Sequence, residues 1–131
     1  MARSPQISDS SVLVLDPDVR NIATARRFVV DAIGTDHQGH RRDAALLTSE
    51  LVTNAVAHAS TPVKVEVKVK RTRDRARVEV YDSCVAEPTV KPLTLDRESG
   101  RGLAIVDAIA DDWGVAPDNG HGKVVWFELG L

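Results

Sequence analysis

Glu50, Asn54 and His58 recur every four residues within Leu46-Leu47-Thr48-Ser49-Glu50-Leu51-Val52-Thr53-Asn54-Ala55-Val56-Ala57-His58-Ala59, a stretch whose apolar positions carry helical spacing. Residues four apart on a helix lie one above the other, so the Glu50 carboxylate and the Asn54 carboxamide can meet one ligand together. Such a pair of oxygen donors suits a hydrated magnesium ion with a hydroxyl group beside it. The same spacing on an amphipathic helix is also that of an ordinary solvated face. Here, however, Leu46, Leu47, Leu51, Val52, Ala55, Val56 and Ala59 take up most of the circumference, which predicts a largely buried helix. Polar groups on a buried helix need partners, and a ligand cleft is one way of supplying them.

Two further features could join that site. In Ala76-Arg77-Val78-Glu79-Val80-Tyr81-Asp82 the inward set Ala76, Val78 and Val80 extends in phase to Asp82. A carboxylate on the apolar side of a strand end is costly unless it has a designated partner, although Asp82 can also be read as the first residue of a turn. Gly100-Arg101-Gly102 stands before a helical pattern, where glycine permits close backbone approach and a helix start offers unpaired N–H donors to a phosphate. By itself that triplet is also the ordinary end of a loop.

The elements that must position these groups can be traced along the chain. A polar leader over residues 1–9 precedes a short strand from Val12 to Leu15. Asp16-Pro17-Asp18 opens a helix, with Asp16 as cap, Pro17 in the first turn and Asp18 at the positive end of the dipole. Ile22, Ala25, Phe28, Val29 and Ile33 form its apolar face, and Gly34 stops it. The polar stretch from Thr35 to His40 leads into the helix bearing Glu50, which Thr61-Pro62 ends. From Val63 the period falls to two: Val63, Val65, Val67 and Val69 alternate with Lys64, Glu66, Lys68 and Lys70, and a turn over residues 71–75 returns the chain toward Asp82. Residues 83–99 read as a long loop of the kind that serves as a lid or binding segment. A third helix starts at Gly100-Arg101-Gly102 and carries Leu103, Val106, Ile109 and Ala110 inward; a final hairpin follows, its strands flanking Asp118-Asn119-Gly120-His121-Gly122.

Composition bounds the function. With 131 residues and 43% hydrophobic content the chain fits one domain, over residues 10–131, and can build a core without disulfides. The net charge of −2 gives no general attraction to nucleic acid. Lys64, Lys68, Lys70, Arg71, Arg73, Arg75 and Arg77 form a basic run, but alternation explains most of them as a solvated strand face, and with aromatics at 4% there is little to stack on bases. Arg26 and Arg27 on the first helix read as solvated, or as contacts for a partner. Cys84 is the sole cysteine, which excludes an internal disulfide and fits a reducing cytoplasm. No apolar run approaches the roughly 20 residues of a membrane span, so neither a membrane nor direct nucleic-acid contact is expected.

Taken together in their order, these segments resemble the GHKL ATPase superfamily, and within it the small bacterial anti-sigma factors with serine kinase activity. The resemblance covers nearly the whole chain. It rests on Ser49–Ala59 as the family's N box, Val78-Glu79-Val80-Tyr81-Asp82 leading into the first glycine box, Ser99-Gly100-Arg101-Gly102-Leu103-Ala104-Ile105-Val106 as the second, and Gly122–Leu129 as the last strand. It implies an α+β fold of Bergerat type: a two-layer sandwich with a mixed, mostly antiparallel sheet and three main helices on one face, holding ATP between the helices and a lid loop. It further implies that Asn54 coordinates Mg2+, that Glu50 acts as the base on a protein serine or polarises a water, that Asp82 accepts from the adenine amino group, and that Gly100, Arg101 and Gly102 lie at the phosphates. His58 fits the motif and reads as a packed, hydrogen-bonded residue. The implied partners are a sigma factor and an anti-anti-sigma antagonist, and the resemblance suggests a homodimer. One departure stands out: where the first glycine box usually reads D-x-G-x-G, this chain has Asp82-Ser83-Cys84-Val85-Ala86. That departure supports a second reading, a non-catalytic module that acts in partner switching without nucleotide turnover.

Overall fold

The structure, a computed structural model, describes residues 9–57, 64–82, 97–119 and 122–131. Five strands, β1 (Asp9–Leu15), β2 (Val65–Arg71), β3 (Arg75–Asp82), β4 (Asp112–Pro117) and β5 (Lys123–Gly130), form one sheet in the order β1-β2-β3-β5-β4. Three helices, α1 (Ile22–Ile33), α2 (Gln38–Ala57) and α3 (Arg97–Ile109), pack against it. This is the expected α+β sandwich; every pairing among the described strands is antiparallel.

The core lies between the helices and one face of the sheet. Val65, Val67 and Val69 of β2, Ala76, Val78 and Val80 of β3, and Phe127 and Leu129 of β5 meet Ala25, Val29 and Ile33 of α1, Ala44, Leu47, Leu51, Val52 and Ala55 of α2, and Val106 of α3. Strand alternation places these residues on one side, and the register keeps them there: Val69 opposes Val78, which opposes Phe127. Trp113 of β4 opposes Phe127 and extends the same apolar surface to the sheet edge.

Helix boundaries differ from the sequence reading in three places. Asp18, not Asp16, provides the cap: its side chain accepts from the Arg20 amide at 2.8 Å and starts a 3-10 turn, Val19–Asn21, that leads into α1. Arg20 also grips the Asp18 carboxylate, and these hydrogen bonds lower its pKa to about 2. α2 starts at Gln38 because the His37 ring takes the role usually played by Ser, Thr or Asp, its Nδ1 accepting from the His40 amide at 3.2 Å. α3 starts at Arg97 rather than Gly100. Arg97 and Glu98 are good helix formers, and a glycine weakens a helix without stopping it. By contrast Gly34 ends α1 as expected: at φ 66° it sits in the left-handed region, and its amide donates to the Val30 carbonyl.

The sheet face turned away from the helices is sealed by ion pairs. Glu79 points away from the core yet is only 5% exposed, because Arg77, Tyr81 and Lys70 cover it. Arg77 Nε donates to Glu79 Oε2 at 2.7 Å and Arg77 Nη1 to Glu128 Oε2 at 2.8 Å, while Tyr81 Oη donates to Glu79 Oε1 at 2.9 Å. The Arg77 guanidinium lies 3.9 Å from the centroid of the Trp126 ring. Lys64 pairs with Asp16, Lys68 with Glu66 and Arg75 with Glu128. The basic run is thus largely matched by carboxylates on its own sheet, a stronger constraint than the plain solvated face read from alternation.

Candidate functional site

The chain topology sets the second half of α2 and the end of β3 toward the same end of the sheet. At the opposite end, the Arg71 guanidinium donates from the finish of β2 to the Ile33 carbonyl at the finish of α1, with Nε 2.7 Å from the oxygen. α2 starts shortly after that point and runs back toward the beginning of β2, so its second half lies toward the end where Val65 and Asp82 are register partners. α3 closes just before β4, whose first residue, Asp112, pairs with Glu128 at the far end. The C-terminal end of α3 therefore lies at the end of the sheet away from Asp82.

On α2 the division of faces is clear. Leu47, Thr48, Leu51, Val52 and Ala55 are buried, Thr53 and Ala57 are exposed, and Glu50 and Asn54 are half-buried between these two faces. The expectation of a largely buried helix therefore holds for one side only. Glu50 and Asn54 occupy its margin, where side chains anchored on a rigid element can still reach a ligand. Beside them Ser49 donates to the Ala45 carbonyl at 3.0 Å and accepts from Arg26 Nη1 at 3.0 Å, which ties α1 to this part of α2. Arg26 is thus committed within the chain.

Asp82 closes β3 on the helix-facing side and is 5% exposed. The structure selects the inward reading over the turn reading. Its register partner on β5 is Lys123, whose Nζ lies 3.0 Å from Asp82 Oδ2. The sequence reading missed Lys123, although the signal was present: Val125, Phe127 and Leu129 alternate inward on β5, and counting back puts a lysine on the apolar side. The same phase argument had singled out Asp82.

Gly100, Arg101 and Gly102 lie within α3. Only Gly100 of the three falls among the first four residues of that helix, whose amides have no intrahelical acceptor. His58 and the replaced glycine positions Cys84 and Ala86 lie outside the described residues. No helix among the described residues is long and apolar enough to cross a membrane.

In chemical terms this end of the sheet offers two oxygen donors one turn apart, a buried carboxylate able to accept from an amine, and an ammonium beside it. Hard oxygen donors of the Glu50 and Asn54 kind are those that magnesium takes. The sequence model of the histidine kinase-like ATPase domain matches residues 15–129. No curated protein matches the chain.

Proposed function

The chain belongs to the histidine kinase-like ATPase domain family, an ATP-binding family of GHKL type, and on that premise we propose that it is a cytoplasmic anti-sigma regulator that binds Mg-ATP, sequesters a sigma factor and phosphorylates a serine on an antagonist protein. The observation that carries this reading is the placing of Glu50 and Asn54 on the margin of a helix whose other side is core, directed to the end of the sheet where Asp82 is buried.

In this reading Asp82 accepts a hydrogen from the adenine amino group, and Gly100, Arg101 and Gly102 lie along the phosphates. Magnesium, held through the Asn54 amide oxygen, would neutralise phosphate charge. Glu50 takes the proton of the incoming serine hydroxyl as the serine oxygen bonds to the γ-phosphorus and the bond to ADP breaks. Holding base and nucleotide on α2 and the sheet supplies the orientation on which this class of transfer depends.

The direct test is incubation with labelled ATP, magnesium and candidate antagonist proteins, reading out phosphoserine. Transfer by the native chain and its loss in Glu50→Gln, with ATP binding retained, is the expected result; transfer by Glu50→Gln at the native rate would remove Glu50 from the reaction. Cys84 and Ala86, in place of the family's glycines, favour the second reading of a binding module without turnover. Titrating ATP with and without magnesium separates the two, since the module predicts no binding at millimolar nucleotide.

A further inference from the structure

Asp82 does not stand alone on its side of the sheet. Lys123 opposes it across β3 and β5, and strand phase puts both on the helix-facing side. The Asp82 side chain is 6% exposed and that of Lys123 35%, so the carboxylate is enclosed while the lysine side chain stays partly open to solvent. A lysine on the apolar face of a strand is costly without an acceptor, and Asp82 Oδ2 at 3.0 Å is one. An ammonium carries three N–H donors, and that bond uses one.

The geometry points to Lys123 as a second base-reading residue, acting beside Asp82. The inference rests on the ATP-binding reading given above and extends it to the edge of the base. Adenine presents, side by side, an exocyclic amine that donates and a ring nitrogen, N1, that accepts. Asp82 and Lys123 present the complement, an acceptor next to a donor, with Nζ and Oδ2 3.0 Å apart, close enough for one base edge to meet both. In that pose the amine donates to Asp82 and Lys123 donates to N1. A base with a carbonyl at position 6 and a hydrogen on N1 would oppose like to like at both contacts, so the pair also selects for adenine. The alternative role, in which Lys123 merely neutralises a buried carboxylate, is indifferent to what occupies position 1 of the ring.

1-Deaza-ATP, which carries C–H in place of N1, distinguishes these roles. Calorimetric titration of the full chain with ATP and with 1-deaza-ATP is expected to show at least about tenfold weaker binding of the analogue, the size of a hydrogen bond to a charged group. In Lys123→Met the ratio of the two affinities should fall toward one, and in Lys123→Arg, which keeps a donor, it should recover in part. Equal binding of the two ligands by the native chain overturns the inference without recourse to any variant, so a failure of Lys123→Met to fold leaves it falsifiable. An unchanged ratio in a folded Lys123→Met chain overturns it as well. Absence of saturable ATP binding by the native chain overturns the nucleotide reading itself, and the inference with it.

Discussion

Gly114 and Trp126 oppose each other across β4 and β5, and a methyl group added at Gly114 would meet the indole at 2.8 Å from Cζ2 and 3.0 Å from both Cε2 and Nε1. The ring cannot simply give way. The Arg77 guanidinium lies over the ring, 3.9 Å from its centroid, and Arg77 is anchored in turn by Glu79 and Glu128. Gly114→Ala must therefore tilt the indole or push β4 outward. Overpacking of this kind costs about 1–3 kcal/mol, and a loosened cation–π contact at a partly exposed site adds up to about 1 kcal/mol. Against this, replacing glycine with alanine in an extended strand gains about 0.4–1 kcal/mol by restricting the unfolded chain. The net expectation is a loss of about 2 kcal/mol. In a Trp126→Leu background the obstruction is gone, and the same substitution should be neutral or stabilising by about 0.5 kcal/mol. Urea unfolding followed by far-ultraviolet circular dichroism on the four proteins of this cycle measures the coupling. A Gly114→Ala chain more stable than the native one, or an equal loss in both backgrounds, would refute the claim that the indole fills the space above Gly114.

Burial raises the Glu79 pKa, but hydrogen bonds from Arg77 and Tyr81, with the charges of Lys70 and Arg77, outweigh it and leave the carboxyl below its ordinary 4.5. A depressed folded-state pKa contributes stability that is present above the unfolded value and lost as pH falls through the folded one. Glu79→Gln should therefore be less stable than the native chain by about 1–3 kcal/mol near neutrality, with the gap narrowing below pH ~4.5 in denaturant titrations; a gap independent of pH would contradict the network. Tyr81 shows the opposite sign: burial, then its bond to Glu79, pushes it from 10.0 to about 12, so its contribution is present below pH 10 and declines as pH rises through 12. Tyr81→Phe should flatten that alkaline decline, which thermal melts across the range would detect. The Thr48 hydroxyl is fully buried on α2 and finds no hydrogen-bond partner among the described residues. Thr48→Val keeps the shape and removes the orphan, so the melting temperature should rise by the equivalent of about 1 kcal/mol; a fall would mean that the hydroxyl has a partner.

Local periods made much of the fold legible. The two-residue alternation of Val65, Val67 and Val69 and of Ala76, Val78 and Val80 identified two strands and their buried face, and carrying the phase on placed Asp82 inward, as found. Gly34 marked a helix end because only one backbone conformation makes glycine preferable there. What the sequence did not disclose depends on partners distant in the chain or on atomic choices between near neighbours. Asp16 and Asp18 are both able to cap, and only the path of the backbone decides between them. Histidine is not a usual capping residue, so nothing in the pattern placed a cap at His37 and the start of α2 at Gln38. Glu79 reads as solvent-facing until Arg77 and Tyr81 fold over it from the same strand and Lys70 from the next. The inward phase of Lys123 could be counted back along β5, but its partner could not, because the pairing of β5 with β3 that sets it against Asp82 is recorded in no local pattern.

That pairing sets a condition on when the site can exist. Asp82 and Lys123 are 41 residues apart, and α3 and β4 must be accommodated before β5 can insert between β3 and β4. Closing so long a loop incurs its entropy before its contacts offset it, which makes such pairings slow and late. A chain emerging from the ribosome can thus form β2 and β3 while the neighbourhood of Asp82 is still half built, and the Asp82–Lys123 pair appears only once β5 has docked. A ligand held by both residues would bind the finished sheet and not its precursors, adding its binding free energy to the stability of the whole fold.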